Sequence, residues 1–504
     1  MRLRTVLVTR TALAGLAVGL WCVADAAQAQ TSQTAPGGPA AAASPAPGTP
    51  ATAASPTPGG ASETATVDGP LMKRSNLLGD MGGLRTALGQ YGITYGLQET
   101  SELWGNVSGG TNQGPAYNGA LLMSLGVDMQ KAIGWEGGTF NVSAWQLHGR
   151  NFTADNLGVV QAASGVQATR ATRLWEMWFQ QSFYDGKADL KLGQQSLDME
   201  FFNSTYSGLF LNAAFGWPAL PANNLYVGGP AFPMSSLGAR LRVQPTGDIT
   251  VLGGVFNDNP NGRVFSDNSQ VAGAAQSGTR FNMNTGALFI GEMQYAINQP
   301  ATGDMDRGTG SKGLPGTYKL GAWYDSGTFP DQRFDDSGLS LADPNSTGVA
   351  QQHRGNWSVY GLMDQMLWRP SDDSPRAIGL FLRAMGGPGD RNLLNFSFNG
   401  GVTMKALIPG RDDDTVGVGV GVANFSSRAI DLTKDLAGGV GAYPVRGAET
   451  VFEVTYQAVI TPWLSVQPDF QYFFTPAGGV PNPNKPGQRI GNEAVFGLRS
   501  NIVF

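Results

Sequence analysis

The feature that most constrains this chain is an alternation of apolar and polar residues with a period of two, which recurs from Gly92 to the last residue. In TVGVGVGVANF, for example, valines alternate with glycines, and in WLSVQPDFQYFF aromatic and aliphatic residues alternate with polar ones. A β-strand with one apolar and one polar face has this period, whereas an amphipathic helix repeats about every 3.6 residues. Sixteen such runs span residues 92–106, 118–130, 138–148, 172–184, 187–196, 236–245, 248–256, 282–299, 316–327, 354–368, 376–385, 394–407, 413–424, 448–461, 464–474 and 491–504.

The connections between these runs fall into two classes. Those after even-numbered runs are mostly short, as in Asp185-Gly186, with 300–315 as the exception. Those after odd-numbered runs are mostly long and span residues 149–171, 197–235, 257–281, 328–353, 425–447 and 475–490. Short turns at one rim and long loops at the other are typical of outer-membrane barrels. The sequence therefore predicts an all-β fold, a transmembrane antiparallel up-and-down β-barrel of about sixteen strands over residues 92–504, wide enough for a water-filled lumen.

Composition agrees with this fold but does not establish it. The chain has 71 glycines, only 14% charged residues and 10% aromatic residues. Beyond residue 30 it has no apolar run long enough for a membrane-spanning helix. A soluble all-β protein would fit the same composition, so the fold prediction depends on the alternation and on the two classes of connection.

The N-terminus has the features of a secretory signal peptide over residues 1–29. Arginines precede an apolar core, and Ala27-Gln28-Ala29 provides the small-x-small cleavage site. Cys22 is the one cysteine of the chain and lies in this segment, so the mature protein is predicted to lack disulfides and cysteine-based sites.

Residues 30–70 are mostly Ala, Pro, Thr, Ser and Gly, and we expect them to form a disordered periplasmic linker, since such a composition cannot bury a core. Residues 71–91 then offer a short N-terminal helical segment, with a helix from Leu84 to Tyr91.

Several classes of function find little support in the sequence. The net charge is −5 and no basic stripe occurs, which argues against binding to nucleic acid. The histidines are His148 and His353, far apart in the chain, and no metal site, cofactor or enzymatic activity is predicted. An outer-membrane lipase remains an alternative; it would need a serine beside a histidine on the lipid-facing wall, and His148 is the main candidate base. An export or adhesion barrel, with the Pro-rich linker binding a partner, is a further alternative.

The longest connection, within residues 193–244, is dense in aromatic residues, Gly and Pro. A structureless loop of this length inside a compact domain usually has a function. We expect it to fold back into the mouth of the barrel and to control what passes.

Several phrases of the sequence resemble the OprB-type carbohydrate-selective porins of Gram-negative bacteria. They are LLGDMGGLR (77–85), GRNFTADNLG (149–158), ATRLWEMWFQQSF (171–183), GQQSLDMEFF (193–202), FGWPALPANNLYVGGPAFPMSSLGARLRVQP (215–245), GVFNDNP (254–260) and YQAVITPWLSVQPDFQY (456–472). The family pattern has Trp where this chain has Met81.

The resemblance implies a channel of the outer membrane that passes glucose and other small sugars, with inward-folded loops at its constriction. Both termini would be periplasmic, and outer-membrane lipid and lipopolysaccharide would surround the barrel. The terminal Phe504 resembles the signal that the barrel-assembly machinery recognises.

A passage that prefers sugars needs hydrogen-bonding side chains around an aromatic plate. The alternation places Trp175, Met177, Phe179 and Phe183 toward lipid and Glu176 and Trp178 toward the lumen. It also places Arg240 and Arg242 in the lumen, where the chain leaves the long loop. The candidate substrate-binding residues are therefore Glu176, Trp178, Arg240 and Arg242 on strands, with Asp198, Glu200 and Trp217 from the loop.

Overall fold

The computed structural model describes residues 69–260, 277–299, 313–371, 374–440 and 444–504. The predicted signal peptide (1–29) and all but the last two residues of the predicted linker (30–70) lie outside these ranges.

Sixteen antiparallel strands form a closed barrel. The strands are β1 (Ile93–Ser108), β2 (Gly114–Asp128), β3 (Gly138–Gly149), β4 (Ala171–Phe183), β5 (Ala188–Gln195), β6 (Ser236–Val243), β7 (Ile249–Asn257), β8 (Ala287–Ile297), β9 (Gly316–Asp335), β10 (Ala350–Trp368), β11 (Ala377–Gly386), β12 (Leu394–Lys405), β13 (Thr415–Phe425), β14 (Ala448–Thr461), β15 (Leu464–Phe474) and β18 (Glu493–Val503). A two-stranded hairpin, β16 (Pro481–Asn482) and β17 (Lys485–Arg489), interrupts the last connection. Each barrel strand pairs with its neighbours in sequence, and β18 closes the barrel on β1. The predicted barrel and strand number are confirmed.

Among the described residues, one helix precedes β1 and the others lie in the connections between strands. They are α1 (Leu84–Gln90), α2 (Met129–Ile133), α3 (Phe152–Asn156), α4 (Ala213–Gly216), α5 (Ala219–Asn224) and α6 (Ser427–Val440), with single 3-10 turns at Leu71–Lys73, Leu197–Met199, Ser207–Leu209, Tyr226–Gly228 and Pro476–Gly478. Within the part of the chain that the structure describes, no helix is both long and apolar enough to cross a lipid bilayer.

The alternation in β13 shows why the two faces of a strand differ. Val418 and Val420 point outward and are 44% and 36% exposed. Gly419 between them points inward, and a Cβ atom at this position would lie 2.8 Å from the ring of Phe210 and 2.9 Å from that of Phe215. Both rings belong to the connection between β5 and β6. Glycine thus appears at inward positions of β13 because a loop fills the lumen there.

The N-terminal segment lies against one rim of the barrel. The Leu77 amide donates to the Val503 carbonyl over 2.8 Å, and the Phe504 amide donates to the Leu97 carbonyl over 2.9 Å. Arg85 donates to the C-terminal oxygen of Phe504 and lies over the ring of Tyr95, 4.4 Å from its centroid. The two ends of the described chain therefore meet beside the seam between β1 and β18.

Candidate functional site

The connection between β5 and β6, residues 196–235 (the long loop), folds into the lumen. Its aromatic side chains are buried there, with Phe202, Phe210 and Phe215 at 1%, 0% and 0% exposure. The long loop is hydrogen-bonded to barrel strands other than β5 and β6, the strands it connects. The Phe202 amide donates to Glu292 on β8 over 3.1 Å, and Lys319 on β9 donates to the Asn203 carbonyl over 2.6 Å. The structure therefore confirms that this loop folds inward, as expected from its length and aromatic content.

Two strand residues hold the middle of the long loop. Arg383 on β11 donates four hydrogen bonds of 2.7–2.9 Å to loop carbonyls, those of Phe202, Ala214, Phe215 and Gly216. Glu453 on β14 accepts from two loop amides, Leu211 at 2.6 Å and Asn212 at 3.1 Å. Because both side chains are at most 2% exposed, these bonds are shielded from water and fix the path of the loop across the barrel.

A second connection, residues 150–170 between β3 and β4, also enters the lumen and packs on the long loop. The Gly165 amide donates to the Leu211 carbonyl, and the Ala213 amide donates to the Ala162 carbonyl, each over 2.9 Å. Ser164 donates to Glu102 on β1 over 2.6 Å. The two loops together therefore narrow the passage.

One sequence expectation on β4 is wrong: Trp175 does not face lipid. It is 3% exposed and packs against Trp145 and against Phe232 of the long loop, with ring centroids 5.4 and 6.4 Å away. The cause is a β-bulge, because β3 pairs Val142 with Met177 but Ala144 with Leu174. The extra residue turns Trp175 and Glu176 to the same side and locally shifts the alternation.

The predicted residues Arg240, Arg242 and Glu200 come together in one ion-paired cluster with two residues of β5. Arg240 donates to Asp189 and pairs with Glu200 at 3.0 Å, and Lys191 also pairs with Glu200. Arg242 pairs with the other oxygen of Asp189 at 2.5 Å. The register explains the cluster, since Lys191 lies opposite Arg240 and Asp189 opposite Arg242. Asp189 was missed by the sequence analysis, although its alternation with Lys191 on β5 was a usable signal.

Trp178 and Glu176 extend this cluster onto β4. The Lys191 ammonium lies 4.2 Å from the centroid of the Trp178 ring, a cation–π geometry. The Trp178 indole donates to Glu176 over 3.4 Å, and Glu176 accepts from the Ser196 amide at the start of the long loop over 3.0 Å. Trp178 and Arg242 are partly exposed, whereas Glu176 and Arg240 are buried.

The other two predicted loop residues lie inside the packing of the loop. Trp217 is 2% exposed, donates to the Gly228 carbonyl over 2.8 Å and packs edge-on against Phe202. Asp198 is 6% exposed and joins the two ends of the loop, accepting from the Ser196 hydroxyl at 2.5 Å and the Phe232 amide at 3.1 Å. Sugar contact by any of the seven residues stays a prediction.

The cluster holds ionisable groups of both charge signs. Lys191, Arg240 and Arg242 face three carboxylates, Glu176, Asp189 and Glu200. Burial disfavours the charge on Glu200, but Lys191 and Arg240 outweigh it and lower the pKa of this loop carboxyl to about 2. The passage beside the cluster is therefore lined by fixed groups of both charge signs.

Comparison with known proteins identifies the family. The family model described as "Carbohydrate-selective porin, OprB family" matches residues 112–504. The chain belongs to the OprB family of carbohydrate-selective porins. It is 27% identical over 458 residues to Porin B of Pseudomonas aeruginosa, an alignment that covers 85% of this chain and 91% of the relative. The high-pH structure of Pseudomonas putida OprB has the same fold, with a TM-score of 0.71 and 23% identity over 85% of this chain and 98% of that one. The resemblance inferred from the sequence is thus confirmed, and this OprB-family chain is a porin of the outer membrane.

Proposed function

We propose that this porin lets glucose and other small sugars diffuse into the periplasm past the ion-paired cluster around Trp178. The observation that carries the proposal is the partly exposed Trp178 ring beside fixed donors and acceptors of both charge signs. An aromatic face receives the C–H side of a sugar ring, and the charged groups exchange hydrogen bonds with its hydroxyls. Because the cluster presents both charge signs, it favours a polar uncharged solute over an ion of one sign.

Within the seven predicted residues, we propose a division of roles that follows from exposure. Trp178, Arg242 and Glu200 reach solvent and would contact the sugar. Arg240 and Glu176 are buried and would hold these three in place. Asp198 and Trp217 would set the shape of the long loop, since Asp198 accepts from the Phe232 amide and Trp217 donates to the Gly228 carbonyl, both within the loop.

Replacing Trp178 with alanine should weaken the block of ion current by glucose. Aromatic packing contributes roughly 0.5–1.5 kcal/mol beyond area burial, which corresponds to a change of about two- to tenfold in the blocking constant. Arg242→Lys should also weaken block, by about tenfold at most, because lysine keeps the charge but not the forked donor geometry. The measurement is single-channel conductance in a planar bilayer during titration with glucose.

The matched control is Gln457→Ala, since Gln457 is a luminal polar residue on β14, outside the cluster. It should leave the blocking constant within about twofold of the parent value. If both Trp178→Ala and Arg242→Lys kept the parent's blocking constant for glucose, the assignment of the cluster would be contradicted. If the control variant lost sugar block to the same extent, the loss would reflect a general effect on the lumen.

We further propose that the rim with the short turns faces the periplasm, which places both termini there. In support, the described N-terminal segment and Phe504 lie at the same rim as the turn after β4, residues 184–187, while the long loop enters from the other rim. Outer-membrane lipid and lipopolysaccharide would surround the wall, and Phe504 would be the residue that the barrel-assembly machinery recognises.

Deleting Phe504 should lower the folded fraction of the protein in the outer membrane. The deletion removes the terminal aromatic and also displaces the carboxylate that Arg85 contacts. Arg85→Ala separates the two effects, because it removes the contact and keeps the aromatic end. Heat-modifiable migration in electrophoresis measures the folded fraction. If Arg85→Ala reduced the folded fraction as much as the deletion does, the terminal contact rather than a recognition signal would explain the loss.

A further inference from the structure

Two buried carboxyl groups, those of Asp258 and Asp325, face each other at the rim that carries the long connections. Asp258 directly follows β7, and Asp325 lies on β9 opposite Leu288, near the start of β8. The two side chains lie within hydrogen-bonding reach of each other, and the residues are 1% and 0% exposed. Among the described residues, no lysine, arginine or histidine forms an ion pair with either carboxyl group. Two acidic groups therefore stand side by side in a buried place without a basic partner.

The hydrogen bonds of this pair leave one oxygen atom without a donor. Asp258 Oδ1 accepts from the Thr285 hydroxyl at 2.5 Å, and Asp258 Oδ2 accepts from the Gly286 amide at 2.9 Å. Asp325 Oδ1 accepts from the Gly327 amide at 2.8 Å. Asp325 Oδ2 is buried and accepts from no donor within the described residues. Because a buried carboxylate oxygen is costly unless a donor or a cation compensates it, this atom indicates a ligand.

Two glycines let further oxygen atoms approach the pair. A Cβ atom on Gly286 would lie 2.3 Å from Asp258 Oδ2 and 2.9 Å from the Ser326 hydroxyl oxygen. A Cβ atom on Gly327 would lie 3.0 Å from Asp258 Oδ2 and 2.6 Å from the Tyr226 hydroxyl oxygen. A side chain at either position would fill the space beside these oxygens. The backbone thus brings a serine hydroxyl and a phenol hydroxyl close to the carboxylates.

The chemistry of these groups suits a hard divalent cation. Carboxylate and other oxygen ligands are those that Ca²⁺ prefers, and Ca²⁺ accepts them in a flexible geometry, whereas zinc sites use mainly nitrogen and sulfur. A water molecule could donate to Asp325 Oδ2, but it would leave the repulsion between two buried carboxylates in place. A divalent cation compensates both negative charges at once.

We propose that Asp258 and Asp325 bind a Ca²⁺ ion, with the Ser326 and Tyr226 hydroxyl groups beside them. Tyr226 belongs to the long loop, and its hydroxyl donates to the Thr328 carbonyl over 2.6 Å and accepts from the Thr328 amide over 2.8 Å. The ion therefore connects the end of β7, the strand β9 and the long loop. This inference is independent of the proposed sugar passage.

The first test is equilibrium dialysis of the folded full-length porin against Ca²⁺, after chelation and removal of lipopolysaccharide in detergent. The parent should bind Ca²⁺ at this site with a Kd of about 10⁻⁴–10⁻³ M, the range of extracellular calcium modules. Asp325→Asn should weaken this binding by about tenfold or more, because one of the two charged ligands is lost. The asparagine amide can donate to Asp258, so this variant should still fold.

The matched control is Asp412→Asn, which removes the same charge from an exposed residue in the turn after β12, at the other rim. It should bind Ca²⁺ like the parent.

The second test is thermal unfolding at increasing Ca²⁺ concentration. A ligand that binds only the folded state stabilises it by mass action, so the unfolding midpoint of the parent should rise with Ca²⁺. The midpoint of Asp412→Asn should rise equally, and that of Asp325→Asn should stay constant over the same range.

Three results would overturn the proposal. They are equal Ca²⁺ affinity in the parent and Asp325→Asn, an equal loss of affinity in Asp412→Asn, and a parent midpoint that responds to pH but not to Ca²⁺. In the last case the two carboxyl groups would share a proton instead of a cation. Because block by glucose is measured separately, failure here would leave the proposed sugar passage unaffected.

Discussion

Replacing Arg383 with methionine should raise the single-channel conductance of the porin and nearly abolish block by sugar. Arg383 donates to the carbonyls of Phe202, Ala214, Phe215 and Gly216, and it is 2% exposed. Hydrogen bonds to a charged group contribute about 1.5–3 kcal/mol each, and carbonyls left unpaired in a buried site add a penalty. Methionine fills a similar volume without a donor, so the middle of the long loop should leave the β11 wall and widen the passage.

Conductance and glucose titration in a planar bilayer measure this effect. Arg411→Met serves as the control, because Arg411 is 38% exposed and pairs with Asp414 in the turn after β12, away from the long loop. The control should conduct like the parent. A rise in conductance without loss of sugar block would mean that the loop moves but that the cluster around Trp178 selects sugar without it.

The sequence predicts the barrel well because alternation is local. Each run of period two requires one face for lipid and one for the lumen, so a strand can be recognised without knowing its neighbours. The ends of the strands are harder to predict from the sequence. β9 ends at Asp335 rather than at the predicted residue 327, and β10 begins at Ala350 rather than at residue 354. Both strands are longer than predicted because they pair with each other beyond the stretch in which each pairs with its other neighbour.

The helix α6 shows a second limit. Residues 425–447 read as a long loop, yet Ser427–Val440 is helical. The helix is held by partners distant in sequence, since Arg333 on β9 pairs with Asp435 at 2.8 Å and with Asp431 at 3.2 Å. These carboxylates are visible in the sequence, but the arginine that orders them is about a hundred positions away.

The candidate site, too, could be predicted from the sequence only in part. Strand register predicted that Glu176, Arg240 and Arg242 are not on the lipid face, and Glu200 of the long loop lies beside Arg240 in the structure. Register alone could not show that Asp189 would pair with both arginines, since this depends on the alignment of β5 with β6. The bulge at Trp175 and the burial of Trp217 could not be predicted from the sequence either, because both depend on the packing of the long loop.

Replacing Glu102 with leucine should cause the largest loss of stability among the changes considered. Glu102 Oε1 accepts from Arg499 Nε at 2.7 Å and lies 2.6 Å from Nη2, and Oε2 accepts from Trp104 and Asn118, each at 2.8 Å, and from Ser164 at 2.6 Å. The Glu102 and Arg499 side chains are 0% and 1% exposed. Removing one partner of a buried ion pair leaves an uncompensated charge and costs about 3–5 kcal/mol. Urea unfolding of the barrel from lipid vesicles measures this loss.

The double variant Glu102→Leu with Arg499→Met distinguishes a buried charge from lost packing. Apolar replacement of both partners removes the uncompensated guanidinium, so the double variant should recover much of the stability that the single variant loses. Asp155→Ala is the exposed control, since its pair with Arg150 at 3.0 Å is 39% and 61% exposed and should contribute less than about 1 kcal/mol. A double variant no more stable than Glu102→Leu would locate the loss in the bonds to Trp104, Asn118 and Ser164 instead. In that case the contact of Ser164 with the β1 wall, rather than the ion pair across the seam to β18, would be what Glu102 chiefly stabilises.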